Sequence, residues 1–135
     1  GHIDMELFVS TDALDTDYVV KLVDIYPDGY EALILDYPIR GRFRNGQEAD
    51  DVEMMSPGKI EKLLVNMWST AQTFEVGHRI GIHVTSSNYP RFAVNPNNGA
   101  ALNDLETPAK VANNTIYYDA QHPSAIILPI VTEEL

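Results

Sequence analysis

Apolar residues in this chain recur at every second position in short runs, and no window of a dozen residues sustains a 3.6-residue repeat. Residues 5–10 set Leu7 and Val9 on one face and Phe8 on the other. Residues 18–26 are nearly continuously apolar, with Val19, Val23 and Ile25 opposed to Val20 and Leu22, a β-branched run too short for a helix. Pro27-Asp28-Gly29 predicts a turn, because proline presets φ and glycine accepts positive φ. Residues 32–37 return as the hairpin partner. Beyond Pro38 and Gly41, residues 39–44 read as a bent continuation with Arg40, Arg42 and Arg44 alternating on a solvent face, a sheet-edge pattern.

Residues 46–55 are polar and acidic, a loop with room for one helical turn, and residues 59–68 form the next strand. The cleanest alternation spans residues 79–86, with Ile80, Ile82 and Val84 inward and Arg79, Gly81, His83 and Thr85 outward. Residues 87–114 are a long loop rich in Asn, Pro, Gly and Ala, and residues 115–119 and 125–131 are two final short strands. About seven strands without a real helix predict an all-β fold, a β-sandwich of jelly-roll, galactose-binding-like type with long loops.

Composition narrows the function classes. A chain of 135 residues with 44 % hydrophobic and 21 % charged residues is one globular domain. Against 9 Lys+Arg stand 20 Asp+Glu, and the net charge of −11 repels nucleic-acid phosphates and anionic membranes. The lack of cysteine excludes disulfides, a thiol nucleophile and thiolate zinc sites. No apolar run approaches the ~20 residues of a membrane span. Gly1 and His2 are read as a tag remnant and residues 3–135 as the domain, a chain that opens in mid-structure.

Catalytic signatures are missing. None of the serines sits in a G-x-S-x-G elbow, and His2, His78, His83 and His122 show no metal-ligand spacing. Residues 41–46 are glycine-rich but lack the lysine and the helix of a phosphate loop. Nothing points to a cofactor.

Three clusters stand out. Asp12, Asp15 and Asp17 could form a calcium site, but the spacing is not that of an EF-hand, and the favoured reading is a strand connection whose Asp and Thr side chains accept backbone N–H bonds. Trp68 ends a strand and is assigned to the core as an anchor, with Gly77 supplying the positive φ of the next turn. In the long loop, Tyr89, Arg91, Phe92, Asn95 and Asn97 suit a docking surface better than self-packing.

The same segments carry a resemblance. Ser10-Thr11-Asp12-Ala13 through Asp15-Thr16-Asp17-Tyr18, residues 22–29, Arg40-Gly41-Arg42-Phe43-Arg44 and Pro57-Gly58 belong to it. So do Trp68-Ser69-Thr70-Ala71, residues 74–79, residues 86–99, residues 117–124 and Leu128-Pro129. Together they resemble the C-terminal jelly-roll domain of the X-prolyl dipeptidyl-peptidase, cocaine esterase and α-amino-acid ester hydrolase family of serine hydrolases. The resemblance implies a Ser-Asp-His triad on an α/β-hydrolase domain under a helical cap, both preceding this domain and packing on it. No residue here aligns with a triad member, so none is carried over as catalytic. The family domain begins with a further strand before Met5, which supports reading the chain as a C-terminal piece.

The expectation is therefore a non-catalytic sandwich that braces the hydrolase and cap domains of its parent chain. Its rivals are a carbohydrate- or calcium-binding module, which requires metal at the aspartates or an exposed Trp68, and an oligomerisation module that self-associates through an apolar face. The residues leave open the parent's substrate and whether its setting is cytoplasmic or secreted.

Overall fold

The computed structural model describes residues 1–131; residues 132–135, included in the domain by the sequence reading, lie outside the described residues. Two antiparallel sheets face each other, as expected for a β-sandwich. One holds β1 (His2–Thr11) between β4 (Glu61–Ser69) on one side and β6 (Asn114–Tyr117) with β7 (Ala125–Ile127) on the other. The second runs β3 (Glu31–Arg40), β2 (Asp17–Ile25), β5 (Arg79–Thr85). Strand β1 begins at His2, which pairs with Ser69, so the two residues set aside as a tag remnant continue the first strand's path.

Alternation decides what enters the core. Ile3, Met5, Leu7 and Val9 of β1, Leu63, Val65 and Met67 of β4, and Tyr18, Val20 and Leu22 of β2 form one buried cluster, closed by Met55 from the acidic loop. Strand β2 is central and is covered on both faces, since Val19 and Val23 are buried as well. That is why its sequence reads as a continuous apolar run rather than an alternating one. A bulge against Leu22/Val23 inserts an extra residue in β3, and Ile34 and Leu35 consequently both pack on the core.

Strand β5 departs from its clean alternation at one end. Ile82 and Val84 pack on the core, but Ile80 lies near the end of an edge strand and is half-exposed. Gly81 is a close-approach position: a Cβ there would come 2.7 Å from Ile25 Cδ1 and Val23 Cγ2, which fill the space a side chain would need.

The turns follow the expected chemistry. Gly29 has φ +90° and donates to the Tyr26 carbonyl at 2.9 Å, and Asp28 accepts the Tyr30 N–H at 2.9 Å. Gly77 also has φ +90°. After Arg40 the chain does not continue as a strand: Gly41–Phe43 is a 3₁₀ turn, and Ala49–Asp51 is another. Gly41 donates to the Thr16 carbonyl at 2.8 Å and ends the ladder there. Strands β6 and β7 are shorter than the expected 115–119 and 125–131. Among the described residues no helix is long and apolar enough to cross a membrane.

Tyr18 joins the core to the polar end of the sandwich. Its ring is buried and its hydroxyl donates to the Ser10 carbonyl at 3.3 Å, while Ser10 Oγ and Tyr117 Oη lie 3.0 Å apart. Burial, with the Tyr117 phenol nearby, pushes the Tyr18 hydroxyl well above its ordinary pKa. The phenol therefore ionises earlier in the unfolded chain than in the folded one. Stability is kept below the ordinary tyrosine value of about 10 and declines as pH rises beyond it. Urea unfolding of the native chain and of Tyr18→Phe tests this: the native chain should lose its margin over the variant by about 1.4 kcal/mol per pH unit above pH ~10. Parallel alkaline limbs would refute the assignment.

Candidate functional site

The aspartates gather at one end of the sandwich, but on cations and amides. Asp15, fully buried in the connection from β1 to β2, accepts from Arg42 Nε at 2.7 Å, from the Arg42 backbone N–H at 2.9 Å and from Asn95 Nδ2 at 3.0 Å. Asp17 takes both prongs of the Arg40 guanidinium, Nε at 2.7 Å and Nη2 at 2.9 Å, and Asn95 Nδ2 at 2.7 Å. The Asp17 carboxylate holds the Arg40 guanidinium above even its ordinary pKa.

Asp12 turns elsewhere. It is exposed and accepts the Asn113 backbone N–H at 2.8 Å and its Nδ2 at 2.6 Å, bonds that lower its pKa from the ordinary carboxylate value. Asp12 is thus bonded apart from Asp15 and Asp17, and among the described residues no three His, Cys, Asp or Glu side chains are clustered in the manner of a metal site. In the same connection Thr11 Oγ1 accepts the Ala13 N–H at 3.2 Å.

The arginines correct an expectation. Arg40, Arg42 and Arg44 were expected on a solvent face, yet Arg42 and Arg44 side chains are 8 % and 4 % exposed. The 3₁₀ turn breaks the strand's alternation and swings Arg42 into Asp15, while Arg44 reaches Glu53 at 3.0 Å. Buried guanidinium groups need paired carboxylates, and Asp15 and Glu53 supply them.

The docking set divides. Asn95 is 3 % exposed, because its amide is spent on Asp15 and Asp17, so it cannot meet a partner surface. Asn97 is likewise internal to the loop: its N–H donates to Asn95 Oδ1 at 2.9 Å, and its Nδ2 donates to the Lys110 carbonyl at 3.1 Å. Both amides stand in for backbone partners in a segment without a ladder. Tyr89 and Arg91 do project outward, Tyr89 at 75 % exposure. Arg91 lies 5.3 Å over the half-buried Phe92 ring and 3.0 Å from the buried Asp36 carboxylate.

Trp68 is not a core anchor. It is 71 % exposed, with φ of +69°, in the left-handed region that a bulky residue avoids. Its neighbour Met67 takes the inward position, and Asn66 Oδ1 accepts the Trp68 N–H at 2.9 Å, holding the indole out at the end of β4. Parity carried the signal: Leu63, Val65 and Met67 occupy the inward register, so Trp68 must face out.

Two histidine pairs went unforeseen. Asp24, buried in β2, lies 2.9 Å from His78 Nδ1, and the Tyr26 ring centroid is 4.3 Å from that imidazole, which fastens the β2–β3 hairpin to the segment before β5. Asp119, His122 and Ser124 contain the residue types of a hydrolytic triad but not its wiring. Ser124 Oγ donates to the Tyr117 carbonyl and accepts the Phe8 N–H at 2.9 Å, and His122 stacks near Tyr117 and Phe8. The hydroxyl proton is committed to a backbone oxygen instead of an imidazole, so this constellation pins β1 to the last strands.

Comparison with known proteins follows the same outline. The family described as X-Pro dipeptidyl-peptidase C-terminal non-catalytic domain matches residues 1–127. Cocaine esterase from Rhodococcus sp. (strain MB1 Bresler) is 37 % identical over 133 residues, 97 % of this chain and 23 % of that protein. An aminopeptidase from a marine sediment archaeon, Thaumarchaeota archaeon, superposes with a TM-score of 0.83 at 29 % identity over 93 % of this chain and 22 % of its own. An α-amino acid ester hydrolase gives a TM-score of 0.84 at 27 % identity, with 93 % and 22 % covered. The chain spans less than a quarter of the length of these relatives.

Proposed function

The chain belongs to the family of X-Pro dipeptidyl-peptidase C-terminal non-catalytic domains, and from that premise we propose that it braces the catalytic and cap domains of a serine hydrolase acting on ester or amide bonds. The observation that carries this reading is the loop after β5: the Asn95 amide ties it to Asp15 and Asp17 while Tyr89 and Arg91 stand outward. A tethered loop with exposed aromatic and arginine side chains is the makeup of an interface hot spot. Fixing the walls of a substrate pocket matters because a displacement of about an ångström can reduce rate by about a hundredfold.

In the parent enzyme, replacing Arg91→Ala together with Phe92→Ala should lower melting temperature and turnover of ester or X-Pro anilide substrates in parallel. Unchanged values of both would overturn the docking role. The 135-residue chain alone should neither hydrolyse these substrates nor react with a fluorophosphonate.

A further inference from the structure

The chain contains two Asn-Gly dipeptides, Asn45-Gly46 and Asn98-Gly99. Such a pair can react with itself, because glycine has no Cβ to keep its backbone nitrogen away from the asparagine side-chain carbon. The fold treats the two sites in opposite ways. Asn98 is 8 % exposed and its side chain is held at both ends. Its Nδ2 donates to the Thr107 and Pro108 carbonyls at 3.0 and 3.2 Å, and its Oδ1 accepts the Ala100 N–H at 3.0 Å. Gly99 is packed against Leu14, whose Cβ would lie 2.9 Å from a Cβ placed there. Asn45 instead stands exposed just past the 3₁₀ turn at Gly41–Phe43. Among the described residues its side chain makes one hydrogen bond, from Nδ2 to Glu53 Oε2 at 2.9 Å, and the Glu53 side chain is itself 60 % exposed. The Gly46 N–H donates to the Phe43 carbonyl at 3.2 Å, the long end of the hydrogen-bond range.

We propose that Asn45 is a self-modification site, converting spontaneously to aspartate and isoaspartate in the folded chain, while the fold keeps Asn98 intact. The Gly46 backbone nitrogen gives its proton to hydroxide and attacks Asn45 Cγ. The Cγ–Nδ2 bond breaks, and Nδ2 takes a proton from water and leaves as ammonia, closing a five-membered succinimide. Water then opens the ring at either carbonyl, giving aspartate at the side-chain carbon or isoaspartate at the main-chain carbon. One water is consumed, one ammonia is released, and nothing is oxidised or reduced. Closure needs Cγ and the glycine nitrogen to reach about 3–3.5 Å, with the side chain free to turn. To turn, Asn45 gives up one exposed hydrogen bond, whereas Asn98 must give up three and open a packed loop. Conversion matters to this corner of the fold. A carboxylate at position 45 replaces a donor to Glu53 with a like charge, beside the Arg44 guanidinium that holds Glu53 at 3.0 Å. Isoaspartate also adds a methylene to the main chain directly after the turn that places Arg42 and Arg44.

The test incubates the 135-residue chain at mildly alkaline pH, folded and in concentrated urea. Each site is followed by peptide mapping with mass spectrometry, and isoaspartate by its methylation with a protein isoaspartyl methyltransferase. The expected result in the folded chain is conversion at Asn45 at least about tenfold faster than at Asn98, the protection of a site that reacts only on local opening. In urea the two rates should draw together. Each converted molecule gains one negative charge over the native −11 and separates on anion exchange. Asn45→Gln should abolish the main acidic peak, since glutamine would have to close a slower six-membered ring. Asn98 reacting as fast as Asn45 in the folded chain would overturn the proposal, as would an unreacted Asn45 in the folded chain once the urea sample has converted. A rate ratio unchanged by urea would also overturn it, because the preference would then belong to the local sequence and not to the fold. A main acidic peak that survives Asn45→Gln would place the reaction elsewhere and end the assignment.

Discussion

Asp15→Ala should destabilise the isolated domain by about 3–5 kcal/mol, lowering its melting temperature by about 10–20 °C. The carboxylate is fully buried, and the Arg42 side chain bonded to it is only 8 % exposed. Deleting the acid leaves a guanidinium with neither water nor a counter-charge, and it also strips an acceptor from the Arg42 backbone N–H and from Asn95. The pair is not expected to be worth that much as a pair, since desolvating both ions offsets most of their attraction. Asp15→Leu combined with Arg42→Met should therefore recover more than half of the loss. Thermal unfolding followed by far-UV circular dichroism measures both variants. A loss below about 1 kcal/mol for the single variant would show that water reaches Arg42 and that the network is a surface feature.

The second large effect is apolar. Leu7→Ala in the middle of β1 should cost about 2–5 kcal/mol, from lost burial and from a cavity that two facing sheets cannot collapse to fill. Leu7 is 0 % exposed and pairs with Leu63, also 0 % exposed, on the neighbouring strand. The adjacent residue on β4 provides the contrast: Leu64 is 58 % exposed, and Leu64→Ala in the isolated domain should change stability by no more than about 0.5 kcal/mol. Urea titration of the two variants checks the parity of β4 directly. Equal losses would mean that the two faces of that strand are not distinguished as described.

These two predictions mark a boundary between what local patterns disclose and what they do not. The inward positions of β1 and β4 were readable, because in a strand each side chain's face follows from its parity and burial selects apolar residues there. The hairpin between β2 and β3 was readable from Pro27-Asp28-Gly29 for an equally local reason, the φ values those residues accept. Arg42 was misplaced because alternation was extended past Gly41, where a 3₁₀ turn resets the direction of each side chain. Trp68 was misplaced for the opposite reason: parity pointed outward, and the usual burial of a large aromatic was allowed to outweigh it.

Asn95 shows the deeper limit. Its amide joins Asp15 and Asp17, partners 80 and 78 residues away in sequence, and converts an apparent surface loop into part of the interior. Nothing in its neighbours along the chain announces those bonds. Polar groups pair by geometry across the fold rather than by spacing along it, so the carboxylates that suggested a metal proved to be bound by arginine and amide.

By itself the amino-acid sequence determined the all-β class, the inward face of β1 and the β2–β3 turn, because period-two burial and turn chemistry are local and survive in any one chain. The family followed from the resemblance of its motifs. Only the tertiary structure decided which charges are paired, which asparagines lie inside and where the one indole points. Those outcomes depend on distances between segments far apart in sequence, and hydrogen bonds and ion pairs are lost within an ångström or two of their proper geometry.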